Sequence, residues 1–334
     1  MLNRLQQGIR SFMRRVAERD RPIVSFVLVV YDMPAQAQNT VRSLLPDYQV
    51  GADFQDYEVL VVENESGNHV SADFLKTLPA NFHYHLRKEE QPTPVHAINF
   101  GIQQARGDNI CVMIDGARVL TPGIVRNIIL GHRVSELAVV TVPGYHLGYE
   151  LQQDAVGNGY GIEQEQALME SIAWPDDGYR LFEIACFSSS CAPGFYLPHS
   201  ESNCISMPRK ILRDLHGYDA RFDIRGGGMV NLDLYKRACE HPGVTHVVLQ
   251  GEGTFHQFHG GVTTGGDEAE ARLRFIAVIR EQYQEIRGQT FTSPATNPIY
   301  LGEISDHALK FVHLSAGIKL ERLRETAESR NVSA

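Results

Sequence analysis

The residues best placed to do chemistry stand where the most apolar runs of the chain stop. Asn109 to Arg118 reads N-I-C-V-M-I-D-G-A-R, with apolar residues from Ile110 to Ile114 and then Asp115-Gly116. Such a run is a short strand buried on both faces. A carboxylate at its carboxyl end sits where open α/β sheets bind ligands, although Asp115 could equally serve only to cap the turn. Residues 23–30 stop likewise at Tyr31-Asp32, and 57–62 at Glu63-Asn64-Glu65-Ser66-Gly67. Residues 245–249 run into G-E-G-T-F-H-Q-F-H-G-G, which places His256 and His259 beyond a strand. Gly226-Gly227-Gly228 is no phosphate-binding fingerprint, because no strand leads directly into it.

The periodicity predicts the elements that must hold these groups. Strands are expected at 23–30, 57–62, 82–86, 110–114, 138–142, 203–207 and 245–249, the last being the final core strand. Helices are expected at 39–45, 95–105, 122–130, 208–215, 230–238, 268–286 and 308–323. Strands alternating with helices, each strand with a polar carboxyl end, predict an α/β fold with a Rossmann-like, mainly parallel sheet flanked by helices. Residues 144–200 read as loops, and so long an irregular stretch in a compact chain is commonly functional.

Composition bounds the class. The chain has 334 residues and a formal net charge of −9, which gives no support to nonspecific nucleic-acid binding. Its five cysteines are odd in number and include no C-x-x-C, so a reducing compartment without disulfides or a zinc knot is expected. No apolar run reaches the roughly eighteen residues of a membrane span. The N-terminus alternates Leu2, Leu5, Ile9, Phe12, Met13 and Val16 with Arg4, Arg10, Arg14, Arg15 and Arg19. That is an amphipathic helix, to be docked on the protein itself or on a partner, or laid on an anionic membrane. The expected organisation is an N-terminal helix over 1–20, an α/β domain over 21–262 and a C-terminal helical extension over 263–334, whose apolar faces suit a homodimer or self-docking.

Taken together the motifs resemble a family 2 glycosyltransferase of the GT-A fold over about Ile23 to Gly261. V-L-V-V-Y-D resembles the family's opening strand, and Val62-Glu63-Asn64-Glu65-Ser66 its V-D-D-x-S. Asn99-Phe100-Gly101 with Ala105-Arg106-Gly107-Asp108 resembles N-x-G then A-x-G-[DE], and Gly217-Tyr218-Asp219-Ala220-Arg221-Phe222 its G-[FY]-D-E-x-F. Two departures stand out. The D-x-D is Asp115-Gly116-Ala117, so the second carboxylate is missing. In M-V-N-L-D-L-Y-K-R the acidic pair that carries the catalytic base is Val230-Asn231, while Asp233, Leu234 and Arg237 match. The same stretch is similar to the G-G-E-N-L-E-L of retaining polypeptide N-acetylgalactosaminyltransferases, which leaves the stereochemistry open.

The resemblance implies a cytoplasmic enzyme, at most peripheral to the membrane. It would move a sugar from a nucleotide-sugar donor to a glycan or lipid-linked glycan acceptor in surface polysaccharide synthesis. It implies donor contacts by Tyr31, Asp32, Glu63, Asn99, Asp115 and Arg118, with Glu63 at the nucleobase. Asp115, His256 and His259 would meet a divalent cation, Mn²⁺ or Mg²⁺, at the diphosphate; imidazole favours Mn²⁺. Asp233 and Glu201 are the candidate bases, although Asp233 could instead pair with Arg237 four residues on. A catalytically silent nucleotide-sugar-binding module is the alternative, and a metal-dependent hydrolase ranks last because further ligands are wanting.

Overall fold

Every residue of β1 (Val24–Val30) and β2 (Tyr57–Asn64) is buried, which requires a sheet covered on both faces. The computed structural model describes residues 21–260 and 269–332; the N-terminal helix expected over 1–20 lies outside them. After β1 come α1 (Pro34–Arg42), β2, α2 (Ala72–Lys76), β3 (Phe82–Arg87), α3 (Val95–Gln104) and β4 (Asn109–Met113). Then follow β5 (Arg118–Leu120), α4 (Ile124–His132), β6 (Ala138–Thr141), β7 (Gly144–Leu147), α5 (Gln152–Ala155), α6 (Ile162–Ser171) and β8 (Ala185–Phe187). The remainder is β9 (Ile205–Pro208), α7 (Arg209–Asp214), α8 (Val230–Cys239), β10 (Thr245–Leu249), β11 (Thr254–His256), α9 (Ala269–Arg287), β12 (Ile299–Leu301) and α10 (Leu309–Val332).

Eight strands form the main sheet in the order β12-β10-β6-β9-β4-β1-β2-β3. All its pairings are parallel except those of β9, which runs antiparallel to both β4 and β6. Strand alternation divides the core. Phe26 and Leu28 pack with Val41, Ile124 and Ile128 on one face, while Val27 and Val29 pack with Ile98 and Leu234 on the other. The α/β, mainly parallel architecture expected from the sequence is therefore present, with helices on both faces.

A second sheet was not foreseen. Strands β5, β11, β7 and β8 pair in that order, and two of them fall in the stretch read as loops. Tyr145 lies at their centre, stacked between Phe187 and Phe255 at centroid distances of 5.1 and 5.0 Å and met edge-on by Phe311 of α10 at 4.8 Å. Strands of three or four residues stabilised by aromatic packing leave no readable alternation. The expectation that 245–249 is the last core strand also needs correction. β12 pairs in parallel with β10, so part of the C-terminal segment completes the main sheet rather than only extending from it. Among the described residues no helix is long and apolar enough to cross a membrane.

Candidate metal and donor site

β4 ends two residues before Asp115, and the chain then turns sharply into β5. Asp115 Oδ1 accepts from the Ala117 backbone N–H at 3.0 Å, so the carboxylate does shape the turn. Gly116 is required there by close approach: a Cβ would lie 2.6 Å from the Val29 carbonyl oxygen. The second carboxylate oxygen remains for other work. His256, the last residue of β11, places Nε2 3.1 Å from Asp115 Oδ2. His259 Nε2 lies 3.8 Å from Asp115 Oδ1 and 3.2 Å from His256 Nε2. The three ligand atoms fall within 4.8 Å of one another.

Helix α1 holds this loop in place. Gln257 N–H donates to the Ala117 carbonyl at 2.8 Å. Its side-chain amide donates to the Gln36 carbonyl at 3.0 Å and accepts from Asn39 Nδ2 at 2.9 Å. Gln36 Nε2 donates to the Phe258 carbonyl at 2.8 Å, and Thr40 Oγ1 bridges Gly116 and Arg118. The two segments that carry the acid and the imidazoles are thus fastened to one helix and to each other.

Burial pushes the His256 ring down to about 4, against the pull of Asp115. Burial also opposes a charge on Asp115, but His256, Arg118 and His259 outweigh it and hold the carboxyl well below its usual range. The result near neutral pH is an ionised Asp115 beside a neutral imidazole, the states a metal site needs. One carboxylate and two imidazoles converging on one point are a chemically suitable donor set for a divalent cation.

Arg118 packs against Asp115. It is only 7 % exposed, its Nε sits 3.3 Å from Asp115 Oδ2, and its Nη1 has no hydrogen-bond partner among the described residues. It steadies the charge of Asp115.

Several other expected site residues are committed elsewhere. Glu63 is fully buried, accepting from Val70 N–H at 3.2 Å and from the Tyr84 hydroxyl at 2.6 Å. Those bonds fasten the segment after β2, and the burial takes the carboxylate out of solvent. Both amide atoms of Asn99 bind the backbone of Tyr218, at 2.8 and 3.0 Å, so it clamps α3 to a loop. Tyr31 is exposed and Asp32 accepts from Asn68 Nδ2 at 2.8 Å; both remain open at the carboxyl end of β1.

The two candidate bases separate clearly. Asp233 is fully buried and accepts from Arg237 Nε at 2.8 Å and from Arg287 Nε and Nη2 at 2.6 and 2.7 Å. With no exposure and its oxygens held by two guanidinium groups from α8 and α9, Asp233 is a structural pin between those helices. Asp233→Asn should lower unfolding free energy by about 3 kcal/mol, because two arginines lose their anion. Denaturant unfolding checks this.

Glu201 accepts from Ser190 Oγ at 2.6 Å and from Asn231 Nδ2 at 2.9 Å, and no cation pairs with it among the described residues. Asn231 occupies the position where the family motif has an acid, and it receives Glu201 there from a different segment. Beside it a cavity of about 1000 Å³ is lined by Ser200, Met229, Leu232, Ile276, Arg280 and Phe291. Helix α9 runs along one side, with Arg272 near Asp154 at 3.8 Å towards one end and Arg287 on Asp233 at the other.

Residues 25–157 match the family model described as Glycosyl transferase family 2. Among solved structures, S. aureus TarS 1-349 is 12 % identical with a TM-score of 0.42, the alignment covering 78 % of this chain and 65 % of that fragment. The same TarS fragment in complex with UDP-GlcNAc gives 12 %, a TM-score of 0.48, and 78 % and 66 % coverage. Mannosyltransferase PcManGT from Pyrobaculum calidifontis in complex with GDP-Man and Mn²⁺ gives 12 %, 0.49, and 89 % and 70 %. The chain thus spans about two-thirds of the length of these structures. No curated protein sequence matches it.

Proposed function

We propose that this chain, whose residues 25–157 match the model of glycosyl transferase family 2, transfers a sugar from a nucleotide-sugar donor to a glycan or lipid-linked glycan acceptor. The observation that carries the reading is the convergence of Asp115, His256 and His259 just beyond β4, inside and beside the family domain. A divalent cation held there, Mn²⁺ by preference, would offset charge that builds on the departing diphosphate. Asp115 and the two imidazoles bind and orient. Arg118 keeps Asp115 ionised. Tyr31 and Asp32 flank the nucleotide at the end of β1.

Glu201 is the base of this reading. It removes the proton from the acceptor hydroxyl as that oxygen attacks the anomeric carbon, and the nucleoside diphosphate departs from the opposite face, which makes the transfer inverting. The acceptor enters through the cavity beside Ser200 and Met229, whose size is at the upper end for ligand sites.

The test is a panel of nucleotide sugars with Mn²⁺, Mg²⁺ or a chelator, following release of nucleoside diphosphate. Slow release from one donor, stopped by the chelator, is expected. Binding of donors without turnover, with or without acceptors, would instead identify a silent binding module. The missing second carboxylate at Ala117 and the Val230-Asn231 pair are what give that alternative its standing.

A further inference from the structure

Gln152 lies on α5, in the stretch that carries no motif, yet it bonds to both the ring and the backbone of His256. Its Oε1 is 2.6 Å from His256 Nδ1. Its Nε2 is 2.9 Å from the His256 carbonyl oxygen and 3.3 Å from Glu165 Oε2. The amide can have only one orientation, since the flipped form would set its oxygen against a carbonyl and a carboxylate. With Nε2 committed to those two acceptors, Oε1 must accept, and His256 Nδ1 must carry the hydrogen. The neutral ring then has its lone pair on Nε2, which is the atom 3.1 Å from Asp115 Oδ2.

We infer that Gln152, held by Glu165, is a positioning residue that fixes His256 as the Nδ1–H tautomer and so aims an Nε2 lone pair at the point shared with Asp115 and His259. Two acceptors facing each other at that separation repel unless a proton or a metal cation lies between them. Fixing the tautomer therefore prepares the site for a cation before one arrives. Partners on the far ring nitrogen commonly play this part for metal-binding histidines. Glu165 is anchored for the purpose: its Oε2 accepts from the Phe258 N–H at 2.7 Å and the Tyr160 hydroxyl at 3.1 Å. The same side chain thus ties Gln152 to Phe258, one of the two residues between His256 and His259. This inference rests on the proposed cation site, but its first test does not.

Long-range ¹⁵N–¹H NMR of the metal-free protein near neutral pH reads the tautomer directly. His256 should show a protonated Nδ1 and an unprotonated Nε2; the reverse pattern overturns the inference whether or not a metal binds. Mn²⁺ affinity, read by electron paramagnetic resonance, is the second test. Gln152→Met keeps the bulk and removes the acceptor, and should weaken Mn²⁺ about 10- to 100-fold. Gln152→Glu would turn an oxygen on the His256 carbonyl and Glu165, so the second readout is the tautomer of Gln152→Met, in which the Nδ1–H preference of His256 should be lost. An unchanged tautomer or Mn²⁺ affinity within a few-fold of wild type in Gln152→Met overturns the positioning role. A wild-type protein with the expected tautomer that fails to bind Mn²⁺ overturns the cation site and leaves the tautomer assignment standing.

Discussion

Asp115→Asn should lower nucleoside diphosphate release on the order of 10³-fold while the protein stays folded. The substitution keeps size and shape, and the amide oxygen can still accept from Ala117 N–H, which lies 3.0 Å from Oδ1, so the turn into β5 survives. What is lost is the single negative charge between His256, His259 and Arg118. A divalent cation would then have two imidazoles and a weak amide oxygen, with the Arg118 guanidinium beside them no longer balanced. Losing one preorganised group that stabilises transition-state charge costs about 10² to 10³ in turnover. Here binding of the ion falls as well, so the upper end is expected. Melting temperature should also fall, because Arg118 keeps its burial without its anion. Steady-state turnover with saturating Mn²⁺, together with thermal unfolding, separates the two effects. Turnover within a few-fold of wild type would remove Asp115 from the chemistry.

How much of this site could be read from the sequence depended on where each residue's hydrogen bonds go. The strands β1, β2 and β4 are continuous apolar runs, and burial on both faces makes such runs legible. Asp115 and the histidine loop were legible because each follows such a run directly. Glu63 and Asn99 occupy equally suggestive places, but Val70, Tyr84 and the Tyr218 backbone engage their polar atoms. Sequence position alone does not show such local claims. For Asp233, the Arg237 partner at four residues was visible, whereas Arg287 arrives from 54 residues away. That second guanidinium is what turns a candidate base into a pin. Gln152 had no signal at all: a glutamine in an irregular stretch becomes informative only once both of its amide atoms have named partners.

Glu201→Gln should lower kcat by about 10²- to 10⁴-fold, the range for removing a general base, with the donor KM nearly unchanged. The argument compares two carboxylates. Asp233 is held by three charge-assisted bonds, whereas Glu201 receives only the Ser190 hydroxyl and the Asn231 amide. Two neutral donors orient the Glu201 carboxylate and leave lone pairs free to meet an acceptor hydroxyl, whereas the two arginines occupy those of Asp233. Asn231 explains why an acid is dispensable at the start of α8: its amide brings in the carboxylate of Glu201 from the segment before β9. The glutamine variant can still bond to both partners, accepting from Asn231 and donating to Ser190, so its fold should be unaffected. A contact to the donor sugar alone would raise KM and spare kcat. A base would do the reverse, and would also flatten the acid limb of the kcat–pH profile. Asn231→Asp distinguishes further, since a second carboxylate 2.9 Å from Glu201 Oε2 in place of the amide should raise the proton affinity of the pair and move that limb to higher pH. An unchanged limb in both variants would place the base elsewhere in the cavity.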